Sequence, residues 1–388
     1  MGALEGIRVV HLMRTFPASL CTMYLADQGA DVVRVEEPRY IERRIVGDGA
    51  FYTPLLQMTD RNKRSIQVDI KADGGNDVIR RLVANADVFV EGMRPGTADR
   101  LGIGYEDLRA VNDRLIYASL TGFGQDGPYS RLPGHDLNYI GIMGLLQIDA
   151  QSDRAPSVPS IPVADMAGAL SLALGITTAL VARASTGTGQ RVDAAMSDAI
   201  APWMIMTMAI GLAGQVSDVQ EHWHDRDKSP YYNTFRCGDG RDVALGCNEP
   251  WLWANFCREI GHPELVEQQH VSGAEREAVH ATVTTILAAK TSEEWIELLQ
   301  RADVPITPVL SLEESYADPH IVHRDLYPQV DTPAGMLRTV GNWLKLSDKR
   351  HTIRTPAPAP GQHTDEVLRE CGFDEHQVAA LREQGVVA

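Results

Sequence analysis

Short apolar runs alternate with amphipathic segments over the first 125 residues of the chain. The apolar runs are rich in Val, Ile and Leu, as expected for parallel strands buried on both faces. They predict strands at 7–12, 31–35, 65–70, 87–91 and 115–120, with helices at 17–28, 73–84 and 97–110. This alternation indicates an α/β fold with a large, doubly wound, Rossmann-like domain.

The pattern changes after residue 230 and predicts a second, smaller α+β domain. Its predicted strands are 232–236 and 242–247, and its predicted helices are 250–260, 275–289 and 292–301. A chain of 388 residues also exceeds the size at which one core keeps growing. We therefore expect a large domain at 1–217, a linker at 218–230, a small domain at 231–325 and a C-terminal segment at 326–388 that returns to the large domain.

Two uncharged runs, 166–182 and 199–217, approach the length of a membrane span. Both are diluted by Ala, Gly, Ser and Thr, and their flanks carry no strong excess of Lys and Arg. We expect two core helices rather than membrane spans. A helix that is apolar on all sides must be covered all round, either by its own fold or by a partner chain.

The net charge of −16 argues against binding to nucleic acid or to an anionic membrane surface. The segment 31–71 is an exception, because it holds eight basic residues against seven acidic ones. Such a patch favours a small anionic ligand, and a salt-bridged surface is the alternative. The basic residues are Arg34, Arg39, Arg43, Arg44, Arg61, Lys63, Arg64 and Lys71.

The cysteines and the first residues of the chain favour a cytoplasmic protein. The five cysteines are odd in number and form no C-x-x-C pair, which indicates reduced thiols rather than a disulfide framework or a zinc site. The first ten residues lack the basic and apolar pattern of a secretion signal. We expect no metal site, since His222 and His224 beside Asp225 have the spacing of an incidental pair on a linker.

Loops that follow the predicted strands are the first candidates for a ligand site. The first strand leads into residues 13–17 without G-x-G-x-x-G, which excludes a dinucleotide loop of the usual kind. Glycine-rich loops follow the fourth strand (EGMRPG, 91–96) and the fifth (TGFGQDGPY, 121–129). Open α/β sheets bind their ligands at these carboxyl ends.

Three acid–base residues stand in distinctive contexts: His135 in GHD, Asp165 in PVADM and Glu249 in NEPW. Each has a simple structural interpretation as well. Asp165 opens a predicted helix, where it would be an N-cap held in its ionised form. Glu249 precedes Pro250 and would cap the next helix, and His135 would be a surface loop residue. Together they favour proton-transfer chemistry.

These motifs together resemble the family III CoA-transferase superfamily (CaiB/BaiF-like), which includes the α-methylacyl-CoA racemases. The resemblance extends over nearly the whole chain. Its most specific segments are GIRVVHLMRTFPASLCTMYLADQGADVVRVEEP, DRNKRSIQVDIK, VFVEGMRPGTADRLGIGYEDL, LIYASLTGFGQDGPYSRLPGHDLNYI, PVADMAGALSLALGITTALVARASTGTGQRVDAAMSDA and TPVLSLEESYADPHIVHR.

The resemblance implies a subunit of two domains in a homodimer whose chains interlock like rings. It implies an acyl-CoA thioester as substrate and no separate cofactor, since CoA is part of the substrate. Arg94 matches the family's position for a contact to a CoA phosphate, and Lys63 and Arg64 would assist it. Asp136 and Tyr139, in the GHDLNY segment, are expected near the substrate as well.

Two reactions occur in this superfamily, and the resemblance favours proton exchange over acyl transfer. In the racemases, a histidine supported by a glutamate serves one face of the α-carbon and an aspartate serves the other. His135, Glu249 and Asp165 match these positions, so we expect epimerisation of a 2-methylacyl-CoA through an enolate-like intermediate. Asp136 is an alternative partner of His135, and backbone N–H groups at the start of the Asp165 helix would hold the oxyanion.

Two other functions stay open at this point. In the transferases, the matching aspartate attacks the thioester and forms a mixed anhydride, so that CoA moves between an acyl-CoA and a carboxylic acid. A non-catalytic, CoA-binding dimer is the third possibility, and it gives the three acid–base residues no role.

Overall fold

The computed structural model describes residues 2–12, 15–38, 49–148, 155–212, 228–333, 335–347 and 353–388. The chain divides into two compact units. The first contains Met1–Leu145, Val158–Ile205 and His320–Ala388, and the second contains Leu146–Ser157 and Met206–Pro319. The division after Ile205 corrects the expected boundary at 217, and residues 146–157 also join the second unit. Most of the expected linker, 218–227, lies outside the described residues.

The first unit is built on a parallel sheet of six strands in the order β3-β2-β1-β4-β5-β6. Its first five strands begin and end within three residues of the predicted bounds, because apolar residues that are buried on both faces give a clear signal. The strands are β1 (Arg8–Leu12), β2 (Asp31–Glu36), β3 (Lys63–Gln67), β4 (Val88–Glu91), β5 (Ile116–Thr121) and β6 (Arg191–Ala195).

Helices pack on the six-stranded sheet in the first unit, and further helices belong to the second unit. One segment predicted as a single helix, 97–110, forms two short helices, because Gly102 adopts φ +68° between them. In chain order the helices are α1 (Phe16–Asp27), α2 (Gly49–Thr59), α3 (Gly75–Ala84), α4 (Thr97–Arg100), α5 (Tyr105–Arg109), α6 (Asp136–Ile142), α7 (Leu145–Ile148), α8 (Val163–Thr186), α9 (Ile205–Leu212), α10 (Pro250–Glu259), α11 (Gly273–Leu287), α12 (Ser292–Arg301), α13 (Leu312–Ser315), α14 (Pro319–His323), α15 (Thr364–Glu370) and α16 (Glu375–Glu383).

The C-terminal residues cover the outer edge of the six-stranded sheet. Ser65 of the edge strand β3 donates its N–H to His363 Nδ1 at 3.2 Å and accepts from the His363 N–H at 2.8 Å. Just beyond the strand, Val68 forms an antiparallel bridge with Val387. An edge strand with unpaired backbone groups is a site of aggregation, so this cover protects the sheet.

The side chain of Asn62 helps to hold the segment that leads back to this edge. Asn62, in a left-handed conformation with φ +61°, accepts from the backbone N–H groups of Arg354 and Thr355 at 2.6 and 3.1 Å. Its amide group donates to Asp27 at 2.8 Å. The side chain therefore joins the returning segment to the end of α1.

The longest helix, α8, lies against the sheet and α1. Its buried residues include Ala164, Leu172 and Ile176, and it ends at Gly187 with φ +77°. Among the described residues, α8 is the one helix whose length and composition would allow it to cross a membrane. Leu174 and Val181 on its other side are 68% and 73% exposed.

The second unit contains the antiparallel sheet β7 (Tyr232–Arg236), β8 (Asp242–Gly246) and β9 (Ile306–Pro308). Its core includes Phe235, Trp253 and Trp295, each no more than 3% exposed. A two-stranded hairpin, β10 (Gln329–Thr332) and β11 (Gly335–Arg338), belongs to the first unit.

The second apolar run does not form the buried helix that we expected. Residues Asp198–Met204 form a 3-10 helix, because Pro202 interrupts the run. In α9, which follows, no residue is buried, and Leu212 is 85% exposed. The run is thus buried at Ala199 and Ile200 and exposed along α9, and its last residues, 213–217, lie outside the described residues.

Candidate functional site

Two of the three acid–base residues lie together in the first unit. His135 directly precedes α6, and Asp165 is the third residue of α8. They are close enough for the charge of His135 to act on the Asp165 carboxyl. Glu249 lies in the second unit, directly before α10.

The start of α8 explains how Asp165 is held. Pro162 precedes the helix, and its carbonyl accepts the first backbone bond of the helix, from Met166 N at 3.1 Å. The free amides of Ala164 and Asp165 donate to one oxygen, Asp136 Oδ1, at 2.6 and 3.0 Å. Asp136 thus caps the helix from α6.

This arrangement corrects two expectations about Asp165. It lies inside the first turn of α8 and is not the N-cap, a position that Pro162 occupies. The amides of Ala164 and Asp165 are bonded to Asp136, so they are not available as the oxyanion hole that we expected there.

The electrostatic environment of Asp165 differs from that of an ordinary helix start. The pKa of Asp165 is raised from its ordinary value of 3.8 to about 6, with burial as the largest cause and the charge of Asp136 acting in the same direction. His135 acts in the opposite direction. The helix N-terminus favours the anion, but burial and the neighbouring carboxylate outweigh it. Asp165 therefore ionises less readily than an ordinary aspartate, although it is still largely ionised at pH 7.

The loop that carries His135 is ordered by its own backbone and by Tyr139. The His135 N–H donates to Asn138 Oδ1 at 2.9 Å, and the imidazole ring is exposed. The Tyr139 hydroxyl donates to Gly134 O at 2.6 Å. A side chain at Gly134 would place its Cβ 2.7 Å from the Tyr139 ring, so only glycine fits there.

Tyr139 also contacts the glycine-rich loop after β5. Its ring packs edge-on against Phe123 at a centroid distance of 5.0 Å, and a Cβ at Gly122 would lie 2.5 Å from it. Tyr139 is only 4% exposed. Its place is therefore between two loops of the site, which corrects the expectation that it contacts the substrate.

Arg94, the residue predicted to contact a CoA phosphate, lies on the surface of the protein. It is exposed on the loop after β4, at the carboxyl edge of the sheet, and no carboxylate among the described residues pairs with it. Two bonds shape the loop. Glu91, whose pKa is raised by burial, accepts from Met93 N at 2.7 Å, and the Thr97 N–H donates to Arg94 O at 3.0 Å.

Lys63 does not have the position expected of a ligand residue. Its ammonium group is buried and donates to Ser19 O, Thr22 Oγ1 and Asp60 Oδ1 at 2.9 to 3.0 Å. Every donor of the group has a partner inside the fold. Lys63 joins β3 to α1, and the expectation that it assists a CoA phosphate is corrected.

Arg64 is engaged by carboxylates as well. It donates to Asp31 at 2.6 and 3.0 Å and pairs with Glu366 and Glu370 of α15. This network attaches α15 to the sheet, so Arg64 has a structural use that was not expected from the sequence.

The other described basic residues of segment 31–71 also form ion pairs with carboxylates. Arg34 pairs with Glu36 and Asp60, Arg61 with Asp27, and Lys71 with Glu37. The salt-bridged alternative is thus correct for these described members of the patch. Arg39, Arg43 and Arg44, like His222, His224 and Asp225, lie outside the described residues.

Glu249 is the residue before α10, and its side chain is exposed. The N–H groups of Leu252 and Trp253 donate to its backbone carbonyl, and its carboxylate accepts no capping bond from the helix. The expected side-chain cap is therefore absent from this described segment. Trp253 is buried and donates to Leu265 O at 2.9 Å, whereas Trp251 is 63% exposed.

The main feature that the sequence did not reveal is the cap that Asp136 provides. The two ends of this contact are 28 and 29 residues apart, and no local motif connects them. Only the packing of α6 on α8 brings them together.

Comparison with known proteins gives the chemistry a family context. A family model described as CoA-transferase family III matches residues 4–364. A protein from Fusarium pseudograminearum (strain CS3096) named acyl-CoA transferase is 34% identical over 409 residues, covering 100% of this chain and 88% of that protein. The α-methylacyl-CoA racemase of Homo sapiens is 32% identical over 398 residues, covering 99% of this chain and 97% of that protein.

A solved structure has the same fold. The crystal structure of a CAIB/BAIF family protein from Brucella suis superimposes with a TM-score of 0.80 at 28% identity. The match covers 95% of this chain and 99% of that one. The similarity therefore extends over both units, and the named relatives include a transferase and a racemase.

Proposed function

The chain belongs to CoA-transferase family III, and from this premise we propose that it epimerises a 2-methylacyl-CoA thioester. A base removes the proton from C2, and the electron pair of that C–H bond moves into the thioester as an enolate-like oxyanion. A second group then returns a proton to the opposite face of C2. The atoms balance without an oxidant or a second substrate.

The observation that carries this proposal is the state of Asp165 beside His135. A pKa of about 6 means that the Asp165 carboxyl takes up and releases a proton readily near neutral pH. A purely structural carboxylate at a helix start has no use for such a value. A raised pKa suits a group that alternates between acid and base during each turnover.

His135 supplies the second proton-transfer group in this scheme. Imidazole gives and takes protons at neutral pH, and the ring is exposed next to a partly buried carboxyl. In one direction Asp165 removes the proton and His135 supplies one, and in the other direction the roles reverse. Epimerisation needs two proton-transfer groups, one on each face of C2, and in this scheme they are Asp165 and His135.

Glu249 and Arg94 complete the proposal. The resemblance to the racemases assigns Glu249 as the carboxylate that supports His135, and its carboxylate accepts no bond from α10. Arg94 holds a phosphate of CoA, because its exposed guanidinium has five donors in a planar fork suited to phosphate oxygens.

We also propose that two copies of the chain form the interlocked homodimer that the family resemblance implies. The exposed apolar residues on the outer side of α8 and along α9 are surfaces that a second copy would cover. We expect the protein in the cytoplasm, as its cysteine content suggests.

Acyl transfer is the second candidate function, and a specific observation favours it. Asp165 is a partly buried carboxyl at the start of a long helix, and a carboxylate in this place is suited to attack a thioester and release CoA. The relative from Fusarium pseudograminearum is named an acyl-CoA transferase. The two functions differ in one respect: transfer needs an acceptor acid, and epimerisation does not.

The test separates these functions by the acceptor acid. One epimer of a 2-methylacyl-CoA is incubated with the protein, with and without an added carboxylic acid, and the configuration at C2 is followed by chiral chromatography. We expect inversion at the same rate in both mixtures. Exchange of CoA onto the added acid, with C2 unchanged and with an Asp165 acyl group that hydroxylamine traps, would assign acyl transfer instead. Binding of acyl-CoA without either reaction would leave a CoA-binding protein.

A further inference from the structure

Asp136 has a role that its sequence neighbourhood does not suggest. It follows His135 directly, yet its carboxylate is directed toward a different helix. A single oxygen, Asp136 Oδ1, accepts the backbone N–H groups of Ala164 at 2.6 Å and Asp165 at 3.0 Å. The residue after one acid–base group thus holds the backbone of the other.

We propose that Asp136 is a positioning residue of the proton-exchange site: it fixes the first turn of α8 and thereby the direction of the Asp165 carboxyl relative to His135. The effect on turnover rests on the proposed function, whereas the structural and electrostatic effects on Asp165 do not. Asp136 touches no reacting atom in this scheme and acts through Asp165.

Asp136 supplies the hydrogen-bond acceptor for the backbone amides at the start of α8. The amides of a first helical turn have no partner within the helix, and Ala164 is completely buried, so water does not readily replace Asp136 there. Without an acceptor, the turn that carries Asp165 loses both of its side-chain partners. Since the reacting groups must be placed to within a fraction of an ångström, a loosened turn slows proton transfer.

Asp136 also affects Asp165 through its charge. The charge of Asp136 disfavours ionisation of Asp165 and acts in the same direction as burial. The charged groups that act on Asp165 are Asp136 of α6 and His135, which directly precedes α6. Tyr139 is uncharged at neutral pH, since burial raises its pKa further above the ordinary value of 10.0.

The other elements that pack on α8 have charged groups with partners of their own. In α1, Asp27 is paired with Arg61. Asp193 of β6 accepts from Gln125 N at 3.1 Å, and Asp198 accepts from Ser197 Oγ at 2.9 Å. None of these groups is among the charges that act on the Asp165 carboxyl, which are those of Asp136 and His135.

Two substitutions separate the hydrogen-bonding effect of Asp136 from its electrostatic effect. Asp136→Asn keeps an oxygen that accepts both amides but removes the charge, whereas Asp136→Ala removes both. We expect Asp136→Ala to lower kcat on the order of 100-fold with a much smaller change in KM. Asp136→Asn should lose less, roughly a tenth as much, when each variant is assayed at its own pH optimum.

A measurement without substrate tests the electrostatic part. Asp165→Asn is introduced into the wild type and into Asp136→Asn, and urea unfolding is followed from pH 3 to pH 8. The gain in stability from Asp165→Asn marks the pH range over which Asp165 ionises in the folded protein. We expect this gain to be smaller in the Asp136→Asn background and to reach its plateau at lower pH. As a control, Asp165→Asn is also introduced into Asp126→Asn, which removes a carboxylate from the exposed loop after β5. The gain in stability should then be the same as in the wild type.

The outcomes are distinguishable. An equal gain in the wild-type and Asp136→Asn backgrounds would overturn the electrostatic part, and equal loss of kcat in Asp136→Asn and Asp136→Ala would overturn the hydrogen-bonding part. If the wild-type protein does not exchange the α-proton, the proposed function fails, and the unfolding series alone decides the role of Asp136. If Asp136→Ala does not fold, the Asp136→Asn series still decides it.

Discussion

At the scale of single residues, Asp165 shows how two opposing effects are resolved. A helix start and an oriented hydrogen-bonding turn favour the anion, and both are visible in the sequence. Burial and the carboxylate of Asp136 favour the neutral acid and are visible only in the fold, and they raise the pKa to about 6. The sequence marks Asp165 as a candidate acid–base residue, but it does not reveal that the fold raises the pKa of this carboxyl.

The first prediction is that Asp165→Asn stabilises the protein at pH 7.5. Because the folded-state pKa lies above the ordinary value of 3.8, the folded protein binds a proton more readily than the unfolded chain. Stability is therefore lost as the pH rises from about 4 to about 6. The variant avoids this loss, so its free energy of unfolding should be higher by about 1 kcal/mol at pH 7.5, because solvent screening reduces the effect at a partly exposed carboxyl, and by little below pH 4.

Urea unfolding at both pH values measures this difference. Asp126→Asn removes a carboxylate from an exposed loop and should give a much smaller change. An Asp165→Asn variant that is less stable than the wild type at pH 7.5 would contradict the account, because it would mean that the folded protein favours the ionised carboxyl.

The second prediction concerns Arg94. Arg94→Ala should raise KM for the acyl-CoA roughly 10-fold or more, since a charge-assisted contact to phosphate is lost, and should change kcat little. The same acyl group on pantetheine, which has no nucleotide phosphates, should show no comparable effect. Steady-state kinetics with both thioesters gives the comparison.

Arg100→Ala is the matched control for this measurement. Arg100 is exposed on α4 and bonded to Thr97 Oγ1 at 3.0 Å. If Arg100→Ala and Arg94→Ala raise KM equally, a general charge effect explains the result better than a phosphate contact at Arg94.

At the scale of elements, the sequence predicted those parts whose signal is local. The strands β1 to β5 were found because their residues are apolar on both faces. The strand β6 (RVDAA) was missed, because its exposed outer residues and small apolar residues give neither a continuous apolar run nor a clear alternation. The helix α6 was missed for a similar reason: its seven residues, DLNYIGI, are short and contain glycine.

The sequence predicted a C-terminal segment that returns to the large domain, but not that it covers the edge of β3. A returning tail was expected from its composition, but the residues that fasten it could not be identified, because Asn62 and Thr355 meet from opposite ends of the chain. Contacts at this sequence separation follow from topology and leave no pattern in the local sequence.

The third prediction tests this fastening. Asn62→Gly keeps the left-handed backbone and removes the side-chain bonds to Asp27, Arg354 and Thr355. It should lower the free energy of unfolding by about 2–4 kcal/mol, because the amides of Arg354 and Thr355 lose their acceptor. Urea unfolding of the intact chain measures this.

Limited proteolysis gives an independent readout of the same variant. The segment near Arg354 should become a preferred cleavage site in Asn62→Gly and not in the wild type. Asn112→Gly removes side-chain bonds to Val83 O and Ala86 O elsewhere in the first unit and should leave the segment protected. Unchanged stability and unchanged cleavage in Asn62→Gly would contradict the role of Asn62.

At the scale of the whole molecule, apolar surface remains that the chain does not cover itself. Leu174 and Val181 are seven residues apart and lie on one side of α8, and they are largely exposed. The fourth prediction is that the protein has twice the mass of one chain in solution, measured by light scattering after size-exclusion chromatography. Leu174→Glu with Val181→Glu should shift the mass toward that of one chain, because buried charge opposes association.

Val111→Glu is the control, since Val111 is also exposed but does not belong to α8 or α9, and it should leave the mass unchanged. A wild-type protein with the mass of a single chain at micromolar concentration would contradict the proposed dimer.

The central claim is that this chain moves a proton on and off the α-carbon of a 2-methylacyl-CoA, and one measurement tests it most directly. A single epimer is incubated in deuterated water without any acceptor acid, and mass spectrometry follows the isotope at C2. We predict that one deuterium enters each molecule as the other epimer appears, and that Asp165→Asn abolishes this interconversion. A wild-type protein that leaves C2 without deuterium under these conditions would contradict the claim.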